Sequence, residues 1–424
     1  MKIAQRLTKF KNDYTVGSFL AIRELKRSNP WSTALVIFVM SLTFMNMVLM
    51  GGVLIGLAEG MMNSFQKYYS SDVLVKPAVQ NYAITQSSIL QNIIETLPTY
   101  RAKSSRYTAS AVLENENIIK VKETDIGERV SGTLVGINPK DENSVTGISS
   151  KIIEGAYLDE YSTDAIVVGK SLLAQYSKGS STEPRLKDIK VGSRLLLLVG
   201  EFETEVIVQG IVDSGNSTVD GRIFISEATM RSLTRNQNLS ASEIAISLQP
   251  NTSGQDAKSY ILANFPYSTN IIVETGEEAL PKAIQDMKKT FSMLGNMVGA
   301  ISLIVGAITI FIVIFVNAIT RRKYIGIMKG IGISASAIEI SYIIQSLFYA
   351  LSGIAIASLL VMGFLKPWFA IHPLKFPVTE GQLAITTGGL IIRGLILMIT
   401  AFISGYIPAR MVTKQNTLDA ILGR

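Results

Sequence analysis

Four stretches of this 424-residue chain leave little choice of fold. From Trp31 to Ala58 there is no Asp, Glu, Lys, Arg or His, and the same holds from Phe291 to Thr320 and from Ile340 to Leu365. A fourth stretch, Leu383 to Ala409, is interrupted only by Arg393. Each exceeds the roughly 20 residues a helix needs to cross a hydrocarbon core ~30 Å thick. A large soluble protein can bury one such helix, but not four. The expectation is an α-helical integral membrane protein with four transmembrane helices and a large mixed α/β extracytoplasmic domain between helices 1 and 2. The first stretch does not read as a cleaved signal peptide. Its apolar run is longer than the roughly 7–15 residues of a signal's apolar region, and residues 1–30 precede it.

Basic residues near the span ends set the orientation. Residues 1–30 carry seven Lys/Arg against two acids, 321–338 carry four and no acid, and the tail after Ala409 carries three against one. Four spans put these three segments on one side, which the positive-inside rule makes the cytoplasm. Glu59–Thr290 then faces outward, with 23 basic and 28 acidic residues. The overall net charge of +7 therefore reports topology, and nucleic acid need not be invoked. There is no cysteine, so the outer domain must be held by its own core.

Residues 14–28 place Val16, Phe19 and Leu20 at i, i+3, i+4 among Arg23, Glu24, Lys26 and Arg27, the pattern of a helix lying on the inner membrane surface. Asn29–Pro30 ends it, and Trp31 is an interfacial anchor. In the outer segment, 72–78, 106–114, 130–137, 164–169, 194–199, 204–212, 221–226 and 242–248 are short and rich in β-branched residues, as strands are. Residues 87–97, 171–177 and 225–233 have helical spacing, 177–188 reads as a loop, and the segment before Phe291 continues into the second span as one long helix.

Sites of chemistry are sparse. VVGKS (167–171) lacks the first glycine of a phosphate-binding loop, for which Asp164 stands instead, and reads as a strand-to-helix turn. The single histidine, His372, with no cysteine, leaves no zinc site in this chain. Nothing supports an enzyme, so no cofactor is expected in this chain. Arg393 is expected in the outer part of the bilayer, its side chain snorkelling to the headgroups; the alternative is a residue of a substrate or proton path. Gly52 with Gly56 and Gly295 with Gly299 have the small-xxx-small spacing of close helix packing, which implies that partner helices complete the bundle.

The order of parts resembles the MacB/FtsX-type permeases of ABC transporters, including the lipoprotein-releasing (Lol) permeases, and that order covers the whole chain. Their segment between second and third spans resembles R-E-I-G-I-L-[RK]-A-[IL]-G-A; here it is Lys323-Tyr-Ile-Gly-Ile-Met-Lys-Gly-Ile-Gly-Ile333. Tyr324 replaces the usual acid and Gly330 the usual alanine. Tyr406-Ile-Pro-Ala-Arg410 and Thr417-Leu-Asp-Ala-Ile421 resemble the family's tail, with Thr417 at a proline position and one residue inserted. Within the outer domain, 134–158 and the run from DAIVVGKSLLAQYS to DGRIFISEATMRSL are also similar, and VDGRIFIS (219–226) is similar to the lipoprotein-releasing members.

The resemblance implies a plan: 1–30 a cytoplasmic amphipathic helix, 31–58 the first span, 59–290 the extracytoplasmic α/β domain and 291–320 the second span. Then 321–339 is a cytoplasmic coupling segment, 340–365 the third span, 366–382 a short outer loop, 383–409 the fourth span and 410–424 a cytoplasmic tail. It further implies partners: cytoplasmic ATPase subunits carrying ATP and Mg, a second permease copy or paralogue, the lipid bilayer, and an extracytoplasmic carrier or substrate protein. The coupling residues would be Lys323, Ile325, Gly326, Met328, Lys329 and Gly332. Their charges alone fit an ordinary positive-inside loop equally well. The expected function is a non-catalytic permease subunit of a bacterial inner membrane, both termini cytoplasmic, that extrudes lipoprotein or another amphiphile. The alternative is a signalling subunit or scaffold acting on cell-wall enzymes without transport.

Overall fold

The computed structural model describes residues 2–79, 83–115, 128–176, 184–234, 240–372, 374–375, 380–381 and 383–414. The tail motif at 417–421 and most of the expected outer loop after 372 lie outside them. The chain divides into two units, one of Met1–Ala58, Met287–Leu374 and Gly381–Arg424, the other of Glu59–Asp286 with Lys375–Glu380.

Along the chain, α1 (Lys2–Arg27) and α2 (Pro30–Phe65) come first, and a π-helical turn, Gln66–Ser70, extends α2. The α/β unit follows with β1 (Val73–Pro77), α3 (Ser87–Glu95), β2 (Tyr100–Glu114), β3 (Arg129–Ile137), α4 (Pro139–Thr146), β4 (Ile152–Gly155) and β5 (Ala165–Gly169). It continues with β6 (Arg194–Val199), β7 (Phe202–Val212), α5 (Ser217–Asp220), β8 (Arg222–Ser226), α6 (Glu227–Thr234), β9 (Glu243–Leu248), α7 (Gly254–Asn264) and β10 (Ile271–Thr275). The chain returns through α8 (Lys282–Thr320), α9 (Arg322–Gly330), α10 (Ala335–Leu360), α11 (Lys366–Ile371) and α12 (Thr387–Thr413).

In the helical unit, α2, α8, α10 and α12 carry the apolar stretches, and among the described residues four helices are long and apolar enough to cross a membrane. Met40, Phe44, Val48, Ile310, Ile314, Tyr342, Tyr349, Leu397 and Ala401 close its core. Ile301, Ile304, Ile308 and Ile312 of α8, and Leu395, Ile399 and Ile403 of α12, face outward. An apolar exterior of this extent is what a hydrocarbon solvent demands, since only groups with satisfied backbone bonds and apolar side chains can face it. The 39 residues of α8 make one uninterrupted helix, about 58 Å long at 1.5 Å per residue.

The α/β unit is built on one long strand. Its first half, up to Arg106, pairs with β9 in a four-stranded sheet of order β10-β1-β9-β2, backed by α3 and α7 through Leu90, Ile94 and Ile261. Its second half starts a closed ring: β2 pairs β3, then β8, β5, β7 and β6 follow, and β6 pairs back to β2. Closure leaves no ring edge exposed, and Leu113, Leu134, Ile166, Val168, Leu197, Val208 and Ile223 fill the inside.

All eight expected strands are present; β4 and β10 are additional. The helix expected over 171–177, of which 177 lies outside the described residues, is not formed over 171–176. Two 3-10 turns, Lys170–Leu172 and Ala174–Tyr176, stand there because Leu172 and Leu173 are both buried and Leu173 bridges to Leu186. A helix would point consecutive leucines to different faces.

Where the sheet meets the ring lies a buried ionic cluster. Arg106, 1% exposed, donates from Nε and Nη2 to Glu142 at 2.9 and 2.7 Å, and from Nη1 to the Tyr69 carbonyl at 2.8 Å. Glu243 faces Arg222 at 3.1 Å and Arg106 at 3.6 Å, and accepts from the Tyr69 hydroxyl at 2.8 Å. Burial works to raise the Glu243 carboxyl, but the two guanidiniums prevail and hold it down at about 2.

Candidate coupling site

The segment between the second and third spans is a short helix with a defined end. α9 stops at Gly330, and the next turn bonds Gly332 N–H to the Lys329 carbonyl at 3.1 Å and Ile333 N–H to the Met328 carbonyl at 3.0 Å. This is a Schellman cap, which needs a left-handed residue at its penultimate place; Gly332 supplies φ = +96°. Met328 and Ile333, which the cap brings together, pack on the helical core.

Side chains from three helices then hold α9 in place. Arg321, just before it, pairs with Glu24 of α1 at 3.3 Å, and Glu24 also accepts from Gln345 of α10. Ser334, just after it, caps α10 by accepting from Ala337 N–H at 3.1 Å and donates to Asp13 of α1 at 2.6 Å. Lys329 donates to the Thr413 carbonyl of α12 at 3.0 Å, an orphan carbonyl of a last helical turn. Thr413 in turn donates to Glu339 of α10 at 2.8 Å. A push on α9 is therefore felt by α1, α10 and α12 together.

The expected coupling residues divide by placement. Ile325 and Gly326 are buried, Met328 and Lys329 are partly buried, and Lys323 and Gly332 are exposed. Lys323 and Gly332 are the most accessible of the six, and Ile325 and Gly326 are packed inside. The face turned outward contains residues that sequence reasoning left out: Tyr324 is 68% exposed, Ile327 44% and Ile331 74%. Three large apolar side chains beside Lys323 make a basic, sticky face, and no acid occurs within residues 321–338. Spacing i, i+3, i+7 from Tyr324 was the available signal.

Of the packing glycines, Gly295 and Gly299 lie against α2, but on Gly51 and Met47: a Cβ on Gly295 would meet the Gly51 Cα at 3.0 Å, and one on Gly299 the Met47 Cγ at 3.3 Å. Gly52 instead receives Ile385, and Gly56 is buried. The Arg393 side chain turns to α2 and donates to the Val48 carbonyl at 3.2 Å.

The other motifs have structural roles. Lys170 of VVGKS pairs with Asp213 and lies 3.8 Å from Asp220, whose backbone oxygen occupies the place a Cβ on Gly169 would take. Burial pushes the Asp220 carboxyl up, against the hydrogen bonds from Ser214 and the charge of Lys170. His372 stacks on Trp368 at 5.2 Å. Among the described residues no group of three or more His, Asp or Glu could hold a metal.

One span, a large α/β unit, then three spans with a basic helix after the second define a polytopic membrane protein with an extramembrane domain. Residues 296–417 match the FtsX-like permease C-terminal family, and the chain is similar to the MacB/FtsX-type ABC permeases. It is 26% identical over 249 residues to a macrolide export ATP-binding/permease protein MacB of Haemophilus ducreyi, covering 56% of this chain and 33% of that protein. It is 24% identical over 251 residues to MacB 1 of Yersinia pestis bv. Antiqua, covering 56% and 36%. The chain thus spans about a third of the length of these relatives. The periplasmic region of MacB from Actinobacillus actinomycetemcomitans superposes with a TM-score of 0.34 at 11% identity, over 51% of this chain and 94% of that one.

Proposed function

We propose that this chain is the membrane subunit of a transporter in which an ABC ATPase, binding ATP and Mg, docks on α9 from the cytoplasm and moves the α/β domain outside. The observation that supports it best is the exposed Lys323, Tyr324, Ile327 and Ile331 face, tied by Arg321, Lys329 and Ser334 to α1, α10 and α12. Such a face is costly to leave in water and suits an apolar groove in a partner. Lys323 and Gly332 touch the ATPase in this reading, while Ile325, Gly326, Met328 and Lys329 hold α9 at its angle.

The cargo we infer is an amphiphile taken from the outer leaflet. The macrolide-export names of the relatives accord with an amphiphilic substrate, and the likeness of VDGRIFIS to the lipoprotein-releasing permeases favours a lipoprotein. A second permease copy or paralogue completes the bundle, and an extracytoplasmic carrier receives the cargo. The membrane is the bacterial inner membrane, with both termini in the cytoplasm. The test is ATP turnover of the complex in proteoliposomes with added lipoprotein. Stimulation by the acylated protein supports the reading. Stimulation only by a cell-wall hydrolase contradicts transport and makes the chain a signalling subunit.

A further inference from the structure

Arg393 is a cation placed in an apolar surface with no carboxylate partner among the described residues. Its neighbours Ile391, Ile392, Leu395 and Ile396 are exposed apolar side chains of α12. A guanidinium has five N–H donors and does not deprotonate in proteins. Here Nη1 donates to the Val48 carbonyl, and among the described residues no carboxylate pairs with Arg393. The room for the group is made by Gly51: a Cβ there would lie 2.3 Å from Nη2.

Its depth is fixed by two independent counts. Arg393 lies 17 positions before Arg410 on α12, and Val48 lies 17 positions after Trp31 on α2. Each count gives about 25 Å along a helix axis, close to the ~30 Å thickness of a hydrocarbon core. With Trp31 and Arg410 at the opposite boundary, Arg393 lies about 5 Å inside the boundary away from α9, from where its long side chain reaches the level of the lipid phosphates. Lys366 is a second cation at that end. It donates to the Ile385 carbonyl at 3.0 Å, and Ile385 packs on Gly52, next to Gly51.

We propose that Arg393, assisted by Lys366, binds the phosphodiester headgroup of a bilayer glycerophospholipid in the groove between α2 and α12. A guanidinium at a low-dielectric boundary is costly until an anion meets it, and its planar fork matches two phosphate oxygens. The acyl chains lie on the exposed Ile392, Leu395, Ile396 and Ile399. The proposal rests on α2 and α12 being spans and is independent of α9 and its partner.

The test is native mass spectrometry of the full chain in detergent, with phosphatidylglycerol or the uncharged monoglucosyl diacylglycerol added. The chain retains phosphatidylglycerol in preference to the glycolipid. Arg393→Gln weakens that retention about tenfold, the loss expected for one charge-assisted interaction, Lys366→Gln weakens it less, and Arg410→Gln leaves it unchanged. Equal retention of the two lipids, or wild-type retention by Arg393→Gln, overturns the proposal. If Arg393→Gln does not fold, Gly51→Ala displaces the guanidinium while keeping the charge. The thermal stabilisation that phosphatidylglycerol gives must then shrink; an undiminished shift is equally fatal. No ATPase is present, so a failure of the coupling reading leaves this result untouched.

Discussion

Gly332 shows how much a single residue can decide here. Its φ of +96° closes the cap that ends α9 and turns the chain into α10. A side chain there strains the backbone by at least about 1–2 kcal/mol, and the strain is relieved by opening the cap. Gly332→Val should therefore leave the protein inserted and the α/β domain folded, yet reduce ATPase stimulation by its partner several-fold. Lys329→Glu should act alike, because a carboxylate cannot donate to the Thr413 carbonyl and repels it. Turnover measured against the amount of inserted protein checks both, and normal stimulation in both variants sinks the role given to α9. At this scale the sequence was legible only in part. Glycine at 332 was visible, but its cap was not, because the cap is two hydrogen bonds that appear only when Met328 and Ile333 meet.

Among elements, the join between the four-stranded sheet and the ring rests on charges brought together from β2, α4, β8 and β9. Arg106 and Glu142 are each 1% exposed and hydrogen-bonded twice to one another. Removing one partner leaves the other buried and unpaired, which costs about 3–5 kcal/mol. Glu142→Gln should lower the urea midpoint of the α/β domain accordingly, whereas the exposed pair Arg194–Glu205 should change by less than about 1 kcal/mol on removal. Equal effects of the two would show that the cluster is not what fastens the sheet to the ring.

The strands of this domain were readable because β-branched runs between turn residues leave a local trace. α4 and its Glu142 were not read, although Asn138 accepts from Lys140 and Asp141 N–H, Pro139 follows it and Gly147 closes the helix at φ +64°. Those start and stop signals were present in the residues. The pairing of Glu142 with Arg106 was not, since 36 residues separate them and only the fold brings them together. For the same reason Arg393 was legible as an intramembrane charge but not as a ligand of α2.

At the scale of the whole molecule, acid should act on the α/β domain through Glu243. Glu243 is held at about 2, below its ordinary 4.5, so its charge stabilises the folded α/β domain above about pH 4.5. That contribution disappears as pH falls from about 4.5 toward 2, when the folded state must also take up the proton. Denaturant melts of the intact protein across that window should show stability falling with pH, and Glu243→Gln should flatten the dependence. A slope unchanged in the variant would place the acid sensitivity elsewhere.

In the proposed function, an ATPase grips the exposed face of α9. The chain has no cysteine, so Ile331→Cys introduces a single thiol at a position 74% exposed. Maleimide labelling of that thiol in membranes, with and without the ATPase, measures the contact directly. Protection of Cys by the bound ATPase, with no protection at a control position such as Tyr161→Cys, is the predicted result. Equal labelling of the α9 position in both conditions, while the ATPase remains bound, would contradict it.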